Sequence, residues 1–251
     1  MRPSIRTQAG MSLIEATIIL MILFVLTAVL SPSINDYVGD ARQTKAKEDV
    51  EAIGGAIVRL IRDTGLPFPV LNPQATTANL RLAANRVDLM ISDGLIPTSD
   101  DLGISGANGA NTFFVANAVD WDDTDGAADQ IANMNPHLAY NTIDANGLTG
   151  RYSLVTFPAA GGPRVGLGWR GAYLTGPIGP DPWGNRYGAN TVFLNAAANA
   201  TGATGTNQDA FVLSAGNDGV VSTDMEGTGA LSSGTRAEGD DVIFVISGTT
   251  R

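Results

Sequence analysis

The sequence predicts an α+β protein in which one long N-terminal helix packs on a small antiparallel β-sheet with extended loops. Three observations predict it. The run Leu13–Leu30 is apolar, a helical stripe follows over Ile34–Arg62, and short apolar segments beyond residue 150 are separated by Gly- and Pro-rich stretches. With 44% hydrophobic and 16% charged residues, the chain is too apolar for disorder and too weakly charged for a coiled-coil rod.

The run from Leu13 to Leu30 is long enough to cross a membrane. As a helix rising about 1.5 Å per residue, its eighteen residues would span about 27 Å. Arg2 and Arg6 precede the run, and this positive flank predicts a cytoplasmic N-terminus with the remainder across the membrane. A cleaved secretory signal is one alternative, although no small-x-small cleavage site follows the run. A permanent signal anchor is another.

Glu15 is the one charge within this run. A charged side chain in a membrane-spanning helix costs about 2.5–3.5 kcal/mol at the bilayer centre and less near the edge. A free α-amino group on Met11 of a neighbouring copy would compensate for it, if the chain were cut after Gly10. One explanation therefore covers all three residues: a leader, residues 1–10, is removed and the new amine pairs with Glu15 of another subunit.

Gly10 followed by the run to Leu30 resembles the class III signal of type IV pilins and type II secretion pseudopilins. The resemblance implies that a prepilin peptidase cuts after Gly10 and methylates the new N-terminus, and that Glu15 guides the subunit into a filament. This sequence departs from the family at Met11, where Phe is usual.

The same resemblance implies a pilin fold and a domain organisation. Residues 11–65 would form the long helix, of which residues 11–31 lie in the membrane or filament core. Residues 66–251 would form a periplasmic head with a mid-chain insertion, Ile104–Gly150, and a calcium-type loop near the C-terminus. The insertion is rich in Gly, Asn and Asp and is predicted to consist mainly of loops.

The helix is predicted to continue past the membrane, from Met11 to Asp63, because apolar residues recur every three or four positions. Gly65-Leu66-Pro67 should stop it. Pro32 should kink the helix or melt it locally, or else merely marks the membrane exit.

The head is predicted to contain a second helix at Asn79–Ser92, followed by short strands. The strand candidates are Tyr152–Phe157, Val192–Leu194, Ala210–Ser214 and Val242–Ser247. Residues 66–251 carry eighteen Asp and Glu, eight Arg and no Lys. The net charge of −10 argues against nucleic acid as a partner, and the acidic head suits hard cations.

Pro182, Trp183 and Gly184 are predicted to form a rigid turn, because proline fixes φ, glycine permits the reversal and tryptophan supplies an apolar anchor. The surrounding segment, Trp169–Tyr187, resembles the "GPYL…DPWGNPY" segment of the major pseudopilin of type II secretion.

Two acidic stretches near the C-terminus resemble the pseudopilin calcium loop. By residue matching, Asp218 takes the place of the first ligand and Asp241 that of the last, with Asp240 beside it and the Ala215 carbonyl as a further ligand. The loop is longer than usual, and candidates for its middle ligands are Ser222, Asp224 and Glu226. The alternative is that these acids are ordinary solvated loop carboxylates.

Enzymatic function is not predicted. The absence of Cys excludes thiol nucleophiles and Cys-based zinc sites, and His137, the one histidine, has no serine or aspartate motif nearby. The sequence contains no Gly-x-Ser-x-Gly, Walker A or Rossmann fingerprint.

The sequence therefore predicts a structural subunit of a type IV pilus-like filament, most like the major pseudopilin of type II secretion, which polymerises to drive protein export. Its implied partners are further copies, other pilins or pseudopilins, a prepilin peptidase and an inner-membrane assembly platform. Its implied place is the bacterial inner membrane, with the head in the periplasm or at the cell surface. The alternatives are a type IV pilin for adhesion or motility, and a monomeric signal-anchored periplasmic binding module.

Overall fold

The computed structural model of the protein describes residues 12–66, 69–70, 87, 89–99, 131–141, 152, 167–194, 209–223, 237 and 239–248. The chain divides into two compact units, residues 1–42 and residues 43–251. Among these residues are one α-helix and seven strands, in the order α1 (Leu13–Thr64), β1 (Leu89–Ile91), β2 (Thr98–Ser99), β3 (Ile131–Asn133), β4 (Gly188–Ala189), β5 (Asp209–Ser214), β6 (Val220–Val221) and β7 (Val242–Gly248).

Helix α1 has 52 residues and agrees with the predicted long helix to within two residues at either end. It is continuous across Pro32, so the local melting that proline was expected to cause there is absent. The helix ends where predicted. Gly65 adopts a φ of +70°, which favours glycine, and its N–H donates to the Ile61 carbonyl at 2.9 Å.

Five strands of the second unit form one sheet in the order β3-β1-β4-β5-β7. The pairs β1–β4, β4–β5 and β5–β7 are antiparallel, as predicted, but β1 and β3 are parallel, so the sheet is mixed. Strands β2 and β6 form a separate parallel pair. The expected purely antiparallel sheet is therefore wrong at one edge, where a strand from the mid-chain insertion joins β1.

The second half of α1 packs on one face of this sheet through the predicted apolar stripe. Its buried residues are Ala46, Val50, Ile53, Gly54, Ala56, Ile57 and Leu60. They share one core with Met90 of β1, Ala189 of β4 and Val212 of β5. Because three of the seven buried helix residues are Gly or Ala, the helix lies close to the sheet. A Cβ on Gly54 would lie 2.4 Å from Cδ1 of Phe244 in β7.

The opposite face of the sheet carries a second apolar cluster, which includes Leu89, Ile91, Phe211 and Leu213. Residues of β1 therefore alternate between two buried faces, and all three are buried. The predicted helix Asn79–Ser92 is wrong over this strand. A short apolar run that is buried on both sides has no two-residue alternation, so it resembles a buried helix segment in sequence.

Two further predictions are corrected. Val192–Leu194 belongs to a 3₁₀ helix, Thr191–Leu194, and not to a strand. Within the insertion predicted as loops, β3 is followed by a π-helical turn at Pro136–Tyr140. The strands predicted at Ala210–Ser214 and Val242–Ser247 are confirmed as β5 and β7. Of the candidate strand Tyr152–Phe157, only Tyr152 lies within the described residues, and it is not in a strand.

The close contact between α1 and the sheet predicts opposite effects for two neighbouring glycines. Gly54→Ala should destabilise the protein by about 1–3 kcal/mol, because the new methyl group displaces the Phe244 ring from a packed core. Gly55→Ala, whose nearest atom would be the Arg59 guanidinium at 3.8 Å, should stabilise it by up to about 1 kcal/mol through helix propensity.

Thermal unfolding of both variants, followed by circular dichroism in the same detergent, measures this difference. Equal shifts of the two melting temperatures would contradict the packing described for Gly54.

Candidate functional site

The first candidate site is the exposed apolar surface at the start of α1. An 18-residue window of this helix is long and apolar enough to span a membrane, and none of it is buried. Leu13 is 84% exposed and Phe24 is 75% exposed. The Thr27 hydroxyl donates to the Leu23 carbonyl at 2.9 Å, so its hydrogen bond is satisfied within the helix. The surface is suited to contact with lipid or with other apolar helices.

Glu15 lies in the first turn of this surface and is exposed. Its backbone N–H donates to the Ser12 carbonyl at 3.1 Å, so the helix is hydrogen-bonded from its first turn. A carboxylate near a helix N-terminus is favoured by the helix dipole. Gly10 and Met11, predicted to flank the cleaved bond, lie outside the described residues.

The second candidate site is the acidic loop, defined here as residues 215–223 and 239–241. Asp240 Oδ2 accepts the backbone N–H groups of Asn217 at 2.6 Å and Asp218 at 3.1 Å. Gly216 makes this approach achievable, since its φ is +65° and a Cβ there would lie 2.4 Å from the Asp240 backbone oxygen. These two hydrogen bonds join the two ends of the acidic loop.

Asp241 joins the loop ends a second time. Its Oδ2 accepts the backbone N–H groups of Ser222 at 2.9 Å and Thr223 at 2.7 Å. Asp241 is only 6% exposed. Burial raises the pKa of Asp241 from 3.8 to about 6, the hydrogen bonds from Thr223 and Ser222 oppose this shift, and the charge of Asp240 adds to it.

Each of these two carboxylates has one oxygen that its hydrogen bonds leave unused. Oδ1 of Asp240 and Oδ1 of Asp241 are both buried, and neither has a hydrogen-bond partner among the residues that the structure describes. Buried polar atoms are nearly always paired, so two such atoms on adjacent carboxylates call for an explanation.

The other predicted ligands, where the structure describes them, do not show a buried side-chain oxygen without a hydrogen-bond partner. Asp218 is exposed, and its Oδ1 accepts the backbone N–H of Val220 at 2.8 Å. Ala215 is fully buried. Asp224 and Glu226 lie outside the described residues. Within the part of the chain that the structure describes, no three acidic or histidine side chains are grouped closely enough to hold a metal ion.

The predicted turn at Pro182, Trp183 and Gly184 is confirmed. The Gly184 N–H donates to the Asp181 carbonyl at 2.9 Å, which closes a four-residue turn, and Gly184 has a φ of +101°. Trp183 is half-buried and packs against the core that α1 shares with the sheet. Trp183 thus acts as the apolar anchor expected of it.

Sequence reasoning missed Asp181, the residue that organises this turn. Asp181 is 4% exposed. Its Oδ1 accepts the backbone N–H groups of Trp183 at 3.0 Å and Asn185 at 2.8 Å, and its Oδ2 accepts the Ser214 hydroxyl at 2.7 Å. The available signal was an aspartate directly before the Pro-Trp-Gly turn, a position from which carboxylates hydrogen-bond the backbone two residues on.

The turn is hydrogen-bonded to the acidic loop through two side chains. Ser214 Oγ, besides donating to Asp181, accepts the Gly216 N–H at 3.3 Å. Asn185 Nδ2 donates to the Gly216 carbonyl at 3.4 Å. Both links end on Gly216, the residue that lies against Asp240.

Two other polar groups tie elements of the head together and were not predicted. Tyr187 Oη donates to Asp49 Oδ2 at 3.0 Å, and Asp49 also forms an ion pair with Lys45 in α1. Burial and the charge of Asp49 raise the pKa of Tyr187 well above its ordinary value, so Tyr187 stays protonated as a donor. His137, fully buried, lies with Nδ1 2.8 Å from Tyr152 Oη.

No protein-family model, curated protein or solved structure matches this chain.

The raised pKa of Asp241 predicts a pH-dependent stability. Because the folded-state pKa of about 6 exceeds the unfolded value, this group stabilises the fold at low pH, and that stabilisation is lost as pH rises from about 4 to about 6. With chelator present, the Asp241→Asn variant should not show this loss of stability between about pH 4 and 6, because an amide does not ionise. The measurement is the melting temperature of both proteins from pH 4 to 7.5.

The difference between the two melting curves isolates Asp241 from all other titrating groups. A difference that is constant across this pH range would show that Asp241 ionises normally in the folded protein.

Proposed function

We propose that the protein is a structural subunit of a type IV pilus-like filament, most like the major pseudopilin of type II secretion, and not an enzyme. The observation that carries the proposal is helix α1. One helix presents an apolar end with no buried residue and with Glu15 in its first turn, and continues into a stripe that the sheet buries. A helix of this kind serves as membrane anchor before assembly and as filament core afterwards.

In the proposed mechanism, a prepilin peptidase removes residues 1–10 at the cytoplasmic face of the bacterial inner membrane. The new α-amino group of Met11 on one subunit then pairs with Glu15 of its neighbour, which offsets the cost of a carboxylate in apolar surroundings. An assembly platform in the inner membrane adds subunits, alone or with other pseudopilins, while the heads stay on the periplasmic side. Growth of the filament would push exported proteins outward.

Processing is tested by intact-mass analysis of the full chain co-expressed with a prepilin peptidase. The wild-type protein should lose the ten residues of the leader and gain one methyl group. Gly10→Ala should keep its full mass, because in the family that the sequence resembles the peptidase cuts after this glycine. An unchanged mass for the wild type would contradict the proposal and favour a signal-anchored periplasmic module.

Assembly is tested separately with Glu15→Gln, which keeps the size of the side chain but removes its charge. Cleavage of this variant should proceed, whereas its incorporation into filaments beside wild-type subunits should fall at least tenfold. Glu51→Gln, a charge removal at an exposed position of α1 in the head, is the matched control. Normal incorporation of Glu15→Gln would refute the pairing of Glu15 with the neighbouring amine.

We infer that the acidic loop binds calcium. Support comes from the two buried, unpartnered Oδ1 atoms of Asp240 and Asp241, since Ca²⁺ takes six to eight oxygen ligands in irregular geometry. Asp240 and Asp241 would hold the ion, with Asp218 and the Ala215 carbonyl as the further ligands that the family resemblance implies. The ion would supply positive charge and clip a Gly-rich loop in a protein without disulfides.

Calcium should raise the melting temperature of the full chain in detergent. At a calcium concentration 100 times the dissociation constant, linkage gives about 2.7 kcal/mol of added stability. Asp240→Asn and Asp241→Asn should each remove most of this gain, and Glu51→Gln should retain it. A wild-type protein whose melting temperature is the same in calcium and in chelator would exclude the site.

A further inference from the structure

Three carboxylates of the head use the same device, and one differs from the other two. Asp181, Asp240 and Asp241 each accept two backbone N–H groups through a single oxygen, Asp181 from its own turn and the other two from residues 217–223. In Asp240 and Asp241 the second oxygen is buried without a partner. In Asp181 the second oxygen accepts the Ser214 hydroxyl at 2.7 Å. The hydrogen bonding of Asp181 is therefore complete, whereas the other two carboxylates each retain a free ligand atom.

The Ser214 hydroxyl connects Asp181 to the acidic loop. It has one proton to donate, and Asp181 accepts it, so the lone pairs of Oγ face the Gly216 N–H at 3.3 Å. A charged acceptor strengthens such a bond and fixes the direction of the hydroxyl. Ser214 is fully buried, so water does not compete for these bonds.

Gly216 is also held from its carbonyl side. Asn185 Nδ2 donates to the Gly216 carbonyl, and the Asn185 N–H donates to Asp181. Asp181, Ser214, Gly216 and Asn185 thus form a closed ring of hydrogen bonds. The next two residues after Gly216, Asn217 and Asp218, supply the N–H groups that hold Asp240 Oδ2.

We propose that Asp181 is a positioning residue for the cation site: through Ser214 and Gly216 it holds the 216–218 turn against Asp240, so that the unused oxygen of Asp240 is presented for a cation. This inference rests on the proposed calcium site and assigns Asp181 no contact with the ion. Without this ring of hydrogen bonds, the 216–218 turn would lose conformational entropy when the ion binds, and the calcium affinity would fall.

The experiment is isothermal titration of calcium chloride into the full chain in detergent, after removal of metal with chelator. Ser214→Ala deletes the link between Asp181 and Gly216 and should weaken calcium binding about 10- to 100-fold. Asp181→Asn keeps the size of the side chain but offers Ser214 an N–H where it needs an acceptor, and should weaken binding similarly. The double variant should bind no more weakly than the weaker single variant, because both changes break one connection.

Tyr187→Phe is the matched control. It deletes one hydrogen bond of a fully buried side chain near the same turn, the bond to Asp49. It leaves the ring of hydrogen bonds around Asp181 unchanged. It should lower the melting temperature in chelator and leave calcium affinity unchanged. A loss of calcium affinity in Tyr187→Phe equal to that in Ser214→Ala would mean that general destabilisation is responsible, and would overturn the positioning role.

The remaining outcomes are also decisive. Unchanged affinity in both Ser214→Ala and Asp181→Asn, with normal binding by the wild type, overturns the positioning role and leaves the calcium site standing. A wild-type protein that binds no calcium overturns both, whereas the processing and assembly of the filament are measured independently. If Asp181→Asn fails to fold, Ser214→Ala alone decides, because it introduces neither bulk nor charge.

Discussion

Burial of one helical stripe against the sheet is the interaction on which the head depends. The stripe from Ala46 to Leu60 supplies seven buried residues from one element, and they contact strands that lie far apart in sequence. Small residues set the distance: Gly54 admits the Phe244 ring of β7 to a position that a Cβ would exclude. The sheet is thereby buried on the face that α1 covers, and a second apolar cluster buries the opposite face.

In the part of the head that the structure describes, carboxylates hold the turns in place where disulfides are absent. The chain has no cysteine and many glycines, so its long loops gain no covalent constraint. Asp181, Asp240 and Asp241 instead bind pairs of backbone N–H groups, and such charge-assisted bonds are stronger than neutral ones. The cost is the burial of negative charge, and this burial raises the pKa of Asp241. A bound cation would offset that cost most at the two carboxylates that keep an unpartnered oxygen.

Sequence reasoning predicted the elements whose residues show a period and missed those that depend on distant partners. The stripe of α1, the strands β5 and β7 and the Gly184 turn were all predicted. Strand β1 was not, because burial on both faces removes its alternation. At the candidate site, Asp240 and Asp241 were named as candidate ligands from the resemblance to the pseudopilin calcium loop. Asp181 was missed because its role requires Ser214, 33 residues away, and no local pattern encodes that hydrogen bond.

Charge connects the proposed filament to the proposed cation site. Residues 1–65 are neutral by count, so the whole formal charge of −10 belongs to residues 66–251. A filament brings many such heads together, and like charges repel within the Debye length of about 8 Å at physiological salt. A divalent cation in each acidic loop would lower the head charge to about −8 by adding its two positive charges. Calcium would then favour assembly in two ways, by ordering the loop within a subunit and by weakening repulsion between subunits.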